Sequence, residues 1–389
     1  MTPKALPPVL LLADHLGYSG GVSHGVGTYF LQVLPQLRAA GLDVTACFLK
    51  EPHPAAARLR ALGIDPIFLQ AGKWNPGVVR QVVAAARACG AGLLHVTGLK
   101  GSLVGRAVAR ALHLPVVLHT HDLNKPVFTR PLQLLLSRPS DFAVCVSGAA
   151  QELTVRAYCV GPERAWVIPN GLKLESIQDL SPLTRPRVRR ELGLESGCVA
   201  LAMIGRMHPV KGHRLMLRML ASLVARCPLV RLLVIGDGPE RSACEALAGQ
   251  LGLRGYVRFL GQRDDVPQLL AAADILVAPS RSEGLCLAAI EALAAGKPVV
   301  GFAVGGLVEV IRDRVNGLLV PPADAGAFAR AVINLVEDEG ARRTYGKQGA
   351  QDAQRFSVEG HVTRLLECYR CAIDAHQAGG VGTTEGVSE

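Results

Sequence analysis

Short, continuously apolar runs alternating with amphipathic segments, in two successive series, constrain this chain more than any other feature. Val9 to Ala13, Val44 to Leu49, Ile67 to Leu69, Leu93 to Val96, Val116 to His119, Phe142 to Val146 and Trp166 to Ile168 make the first series. Val199 to Ile204, Leu232 to Ile235, Val257 to Leu260, Ile275 to Ala278, Val299 to Phe302 and Leu318 to Val320 make the second. A strand without polar alternation is buried on both faces, and helices between such strands are the crossovers of a parallel sheet. The expected class is therefore α/β, as two doubly wound halves. The first intervening helix is the clearest. Val26, Phe30, Val33, Leu34 and Leu37 fall on one stripe at i, i+4, i+7, i+8 and i+11, and Gly41 closes it.

A chain of 389 residues is too long for one ordinary core. Pro169-Asn170-Gly171 is a turn signal, and the text from Lys173 to Arg189 is polar, Pro-containing and charged. These place an N-terminal domain at 1–172 and a C-terminal domain at 190–357. The helix expected after Phe356-Ser357 could stay on the second half or cross back to the first. Residues 379–389, rich in Gly, Thr, Ser and Glu, are expected to be disordered.

No stretch of eighteen apolar residues is free of charge, which excludes a membrane-spanning helix. The N-terminus lacks the apolar length and cleavage site of a signal peptide, so a cytoplasmic location is expected. The 10 cysteines are scattered, mostly inside apolar runs, as in a reduced compartment. Cys368 and Cys371 form a C-x-x-C without a second pair at zinc spacing, and read as a surface helix pair rather than a metal site. The net charge of +10 is uneven, because residues 1–170 hold 16 Lys/Arg against 8 Asp/Glu. Such a basic half suits anionic lipid, a phosphorylated substrate or nucleic acid. Aromatics are only 4% and are not interleaved with the basic residues, which argues against stacking on single-stranded nucleic acid.

In open parallel sheets, ligands bind beyond the carboxyl ends of the strands. The first such loop holds Gly20-Gly21 ahead of a helix, where backbone amides and the helix dipole favour an anion. Its spacing is not G-x-G-x-x-G, and after Gly236-Asp237-Gly238 the third glycine is replaced by Arg241, so a nicotinamide dehydrogenase loses its support. The loop after Val199 to Ile204 carries Arg206 and, five residues on, Lys211, a planar fork and a point charge suited to a diphosphate. The stretch Ser280 to Pro298 places Glu283 at a helix mouth and Glu291 about two turns further in, among alanine, leucine and isoleucine. A carboxylate there can accept hydrogen bonds from a ribose diol, and the amides of Gly284, Leu285 and Cys286 can meet the diphosphate. Cys286 is expected to have a lowered thiol pKa at a helix N-terminus. His119-Thr120-His121-Asp122 ends a strand of the first half, but no further Cys, His or Glu converges on it in the sequence, so no metal is assigned. Asp264-Asp265 precedes a helix and reads as an N-cap.

Together these residues resemble the retaining glycosyltransferases of family 4. The likeness rests on Gly20-Gly21, Val167-Ile168-Pro169-Asn170-Gly171, Gly205-Arg206 with Lys211-Gly212, Val234 to Pro239, Val257 to Gly261, the Glu283 to Glu291 pair and Asn316 to Val320. It implies a GT-B fold of two facing Rossmann-like domains, with a C-terminal helix, about 358–378, crossing back onto the first. It also implies roles: Arg206 and Lys211 on the donor diphosphate, Glu283 on the hydroxyls of the transferred sugar, Glu291 on the ribose, and His121 near sugar and acceptor, with His119 next. The implied function is transfer of a sugar from a UDP- or GDP-linked donor to an acceptor hydroxyl, without a metal or other cofactor. The acceptor would be a glycan or lipid-linked molecule in polysaccharide, lipopolysaccharide or glycolipid assembly, met peripherally at an anionic membrane. The alternatives are a non-catalytic nucleotide-sugar-binding protein and a GT-B nucleotide-sugar epimerase. One departure is visible: Leu285-Cys286 stands where the family commonly has an aromatic and then a small residue, which makes this turn a candidate determinant of donor choice.

Overall fold

Val9–Ala13 forms strand β1, and all five of its side chains are buried, as a central parallel strand requires. The computed structural model describes residues 5–17, 25–72, 75, 77–123 and 127–381. β2 (Val44–Phe48), β3 (Ile67–Phe68), β4 (Leu93–Thr97), β5 (Val116–Thr120), β6 (Phe142–Cys145) and β7 (Ala165–Val167) complete the first sheet. Its order is β3-β2-β1-β4-β5-β6-β7, and every ladder is parallel. The second sheet holds β8 (Val199–Ile204), β9 (Val230–Ile235), β10 (Val257–Gly261), β11 (Ile275–Ala278), β12 (Val299–Phe302) and β13 (Gly317–Val320). It runs β10-β9-β8-β11-β12-β13, again parallel throughout. The strand order reverses between β1 and β4 in one sheet and between β8 and β11 in the other, where loops diverge and leave a crevice.

Two units result. One takes in Met1–Gly171 and the C-terminal helix Val358–Val381; the other is Leu172–Ser357. The helix joins the first unit because Val358, Val362, Leu365, Cys368, Tyr369 and Ala372 lie on one stripe and are buried in the core that also holds Tyr29, Val33 and Leu37. Burying a large apolar side chain contributes about 1.5–3 kcal/mol, so such a stripe fixes where a helix packs. Cys368 is fully buried and Cys371 packs against the same core, so the pair is not on the surface as expected. Residues 379–381, expected to belong to a disordered tail, continue the helix, and 382–389 lie outside the described residues.

The segment read as a charged linker is built into the second unit. Helices form at Glu175–Gln178 and Thr184–Glu191. Arg185 donates to the carbonyls of Ala271 and Ala273 and to Asp274, while Arg189 donates to Ala272 and Asp274. These arginines satisfy the last carbonyls of the helix Val266–Ala272, a use of charge that composition alone does not distinguish from a solvated linker. Among the described residues, no helix is long and apolar enough to cross a membrane.

Candidate active site

The loops that leave β8 and β11 meet at the switch point of the second unit. Gly205 follows β8, and a 3-10 turn at Pro209–Lys211 leads into the helix His213–Arg226. The amide of Arg281 donates to the carbonyl of Val210 at 2.7 Å, which ties the two loops together. Their approach depends on Gly212, which has φ +79°; a Cβ there would sit 2.2 Å from the Pro279 carbonyl oxygen. Gly236 is needed for the same reason beneath the first loop, where a Cβ would lie 2.1 Å from the carbonyl oxygen of Gly205.

In the resulting pocket, lined by Met203, Ile204, Lys211, Ser280, Glu283 and Cys286 among others, Lys211 Nζ lies 2.7 Å and 2.9 Å from the two carboxylate oxygens of Glu283. The Glu283 side chain is 7% exposed and that of Lys211 is 27% exposed. Burial opposes the lysine charge, but the Glu283 carboxylate more than offsets this, and the ammonium is held above the usual lysine range. The two residues assigned to different parts of a ligand thus form an ion pair with each other. Glu283 itself is not in a helix, because the helix begins at Leu287, with Cys286 as N-cap at φ +71° and no side-chain cap. The Cys286 thiol is not lowered as expected. Burial, with the Glu283 carboxylate beside it, pushes it up to about 12, which outweighs any attraction from the helix terminus.

Glu291, in the helix Leu287–Ala294, is half-buried. Burial raises its pKa to about 7. It is therefore poised near neutrality. Arg206 is half-buried on the β8 loop, Gly284 is half-buried and Leu285 is buried at 4% exposure. His213 was not singled out from the sequence. It follows Lys211-Gly212, is 2% exposed, and neither ring nitrogen has a hydrogen-bond partner among the described residues. Burial, aided by the nearby Lys211 charge, lowers its pKa to about 4. Asp265 stands at the N-cap of Val266–Ala272, but its carboxylate takes Arg263 at 2.6 and 2.7 Å in place of a helix amide.

The first unit gathers histidines at the ends of β4 and β5. His119 and His121 stack with ring centroids 3.8 Å apart. His119 Nδ1 lies 3.1 Å from His95 Nε2, and His95 Nδ1 meets the hydroxyl of Tyr369 on the C-terminal helix. His121 Nδ1 lies 3.1 Å from the Asn170 amide, and Tyr29 presents its ring edgewise to both stacked histidines. No local pattern marks His95, whose partner Tyr369 lies 274 residues along the chain, or His361, whose ring meets the Tyr29 hydroxyl 332 residues away. Among the described residues, no group of three or more His, Cys, Asp or Glu side chains is arranged to hold a metal ion. Asp122 is exposed, and Gly20 and Gly21 lie outside the described residues.

Two family descriptions match the chain: "Glycosyltransferase Family 4" over residues 23–176 and "Glycosyl transferases group 1" over residues 184–352. A D-inositol 3-phosphate glycosyltransferase of Segniliparus rotundus is 30% identical over 319 residues, 77% of this chain and 70% of that protein. The chain belongs to glycosyltransferase family 4. A second family 4 relative, the D-inositol 3-phosphate glycosyltransferase of Salinispora arenicola, is 35% identical over 56% of this chain and 52% of its own length, so the matched region spans about half of that relative. Among solved structures, Anabaena HepE in complex with UDP-glucose superimposes with a TM-score of 0.79 at 23% identity, covering 92% of this chain and 99% of that one. This family 4 chain has the α/β GT-B fold, with each sheet doubly wound.

Proposed function

We propose that this protein is a retaining glycosyltransferase that moves a sugar from a nucleoside-diphosphate sugar, UDP- or GDP-linked, to a hydroxyl of a glycan or lipid-linked acceptor. The observation that carries this reading is the Lys211–Glu283 pair at the switch point of the second unit. A carboxylate and an ammonium held together at a strand end supply what a glycosyl diphosphate needs: a cation for the phosphates and an acceptor for sugar hydroxyls.

In the reaction, the bond between the anomeric carbon and the diphosphate oxygen breaks. The acceptor hydroxyl forms its new bond on the same face of the sugar, and its proton passes to the departing phosphate oxygen. Lys211 and Arg206 stabilise the charge that develops on that phosphate, aided by the uncapped first turn of the helix Leu287–Ala294. Glu283 orients the sugar, Glu291 receives the ribose diol, and His121 lies on the acceptor side. No protein nucleophile and no metal take part.

The test is incubation of the purified protein with UDP- and GDP-sugars and a panel of acceptors. The panel begins with D-inositol 3-phosphate, for which the curated relatives are named, and includes glycans and lipid-linked acceptors. Acceptor-dependent release of nucleoside diphosphate, with a product of unchanged anomeric configuration, is expected. Donor binding without transfer to any acceptor would indicate a binding protein instead, and isomerised donor without acceptor would indicate an epimerase.

A further inference from the structure

Buried polar side chains of the first unit form one line of hydrogen bonds, and the residue at its far end sets the direction of all the others. A neutral imidazole has one nitrogen that donates and one that accepts, so along such a line each proton is placed by its neighbour. The Tyr369 hydroxyl on the C-terminal helix is fully buried and its proton needs an acceptor, which the structure supplies as His95 Nδ1. Burial, with the His361 charge adding to it, lowers the pKa of His95 to about 3 and keeps the ring neutral. With Nδ1 accepting, the His95 proton is on Nε2, and it is donated to His119 Nδ1 at 3.1 Å. Burial, with the neighbouring His121, His95 and His361, holds His119 well below its ordinary range, so this ring is neutral as well. Its proton is therefore on Nε2.

Asn170 carries the line onward from the turn after β7, where it is 5% exposed. Hydrogen bonding with its side chain is the influence that opposes burial at His119. His119 Nε2 and Asn170 Oδ1 are both buried, and neither finds a partner elsewhere among the described residues. A donor and an acceptor left over on neighbouring buried side chains are matched to each other. With its oxygen turned to His119, the amide has only N–H groups for His121, and Nδ2 lies 3.1 Å from His121 Nδ1. An amide nitrogen cannot accept. His121 Nδ1 is the acceptor, and the proton of the neutral ring is on Nε2. His361 takes the opposite form, because its Nδ1 donates to the Pro169 carbonyl at 2.8 Å and its Nε2 accepts from the Tyr29 hydroxyl at 3.2 Å.

We propose that Asn170 is a positioning residue that holds His121 as the tautomer protonated on Nε2, so that any hydrogen bond His121 makes to sugar or acceptor through Nε2 is one it donates. His121 is then a donor to a substrate oxygen and not the base that takes the acceptor's proton. Its role toward substrate rests on the transfer reading, whereas its tautomer does not. The test is long-range nitrogen–proton correlation NMR of the full chain labelled at histidine, at pH 8, above the ordinary histidine pKa of about 6.5. The His121 resonances are identified by their loss in His121→Gln. Wild type should carry the His121 proton on Nε2, and Asn170→Asp should move a proton to Nδ1, since a carboxylate there can only accept. Asn170→Asp is also expected to lower kcat by about tenfold or more, with affinity for a nucleoside diphosphate unchanged. Wild-type His121 protonated on Nδ1 would overturn the proposal, and so would a folded Asn170→Asp variant that keeps the wild-type tautomer. A switched tautomer with undiminished kcat would overturn the donor role. The spectrum reads the tautomer whether or not the chain transfers sugar, so this proposal and the transfer reading fail separately.

Discussion

The ammonium of Lys211 is chelated by both oxygens of Glu283, at 2.7 and 2.9 Å, from loops that leave two different strands. Each residue therefore holds the other's charge. Lys211→Ala is expected to lower stability by about 3 kcal/mol, since it strands a buried carboxylate, and to lower transfer by about a hundredfold or more. Lys211→Met/Glu283→Met separates the two effects: melting should recover toward wild type while transfer stays absent. Recovery of transfer in the double variant would remove both residues from the chemistry.

The Glu291 carboxyl, pushed up to about 7 by burial, titrates where nucleotide sugars are usually assayed. A ribose diol donates best to the ionised form, so affinity for a nucleotide sugar should rise several-fold from pH 6 to pH 8, within the tenfold per unit that one proton permits. The nucleotide sugar is the right probe, because the terminal phosphate of a free nucleoside diphosphate titrates in the same range. Calorimetry on Glu291→Gln should give weaker, pH-independent binding. The protein without ligand shows the opposite sign. A carboxyl raised above its unfolded value of 4.5 contributes stability at low pH that is lost as pH rises through about 7, and the Gln variant should not show that loss.

The histidines of the first unit act at the other end of the pH scale. Burial, with the His361 charge adding to it, lowers His95 to about 3, and burial lowers His361 to about 4. A base depressed in the folded state contributes stability present above its unfolded pKa and lost as pH falls through the folded value. Melting should therefore drop as pH falls from about 6.5 toward 4. Hydrogen exchange should find the helix Val358–Val381 among the segments released, because Tyr369 meets His95 and His361 lies on that helix. In His361→Gln the slope should be shallower. A variant with the wild-type slope would contradict this origin of the acid sensitivity.

Gly212 holds the Lys211 loop against the β11 loop at φ +79°. Gly212→Ala meets the Pro279 carbonyl and a strained backbone together, and should lower stability by about 1–3 kcal/mol. The larger loss should be in donor affinity, since Lys211 is the next residue. Unchanged donor affinity, read by calorimetry in the folded variant, would mean that the loop does not position the lysine.

Most of the architecture was legible in the sequence, because a fully buried parallel strand such as Val9–Ala13 or Ile275–Ala278 leaves a continuous apolar run that little else explains. The loops were legible where glycine and charge coincide, as at Gly205 to Gly212. What escaped depends on distance along the chain. His95 and Tyr369 are 274 residues apart in sequence, and no local pattern joins them. Arg185 and Arg189 fall in text that reads only as a charged domain junction, because their partners, the carbonyls near Asp274, carry no compositional signal. The Cys286 thiol departs from the sequence expectation because its left-handed N-cap buries it beside Glu283, and burial outweighs the helix terminus. Gln133, the buried residue of the helix Arg130–Leu136, shows the limit most plainly: nothing in Arg-Pro-Leu-Gln-Leu-Leu-Leu says that the glutamine is the residue turned inward.

The most direct measurement is a thermal-shift comparison of wild type, Lys211→Ala and Glu283→Gln against UDP-, GDP- and ADP-linked sugars. One nucleotide sugar should stabilise the wild type by mass action, by about 2.7 kcal/mol at a hundredfold excess over its dissociation constant, and stabilise neither variant. Stabilisation of all three proteins alike, or of none, would contradict a donor site built on the Lys211–Glu283 pair.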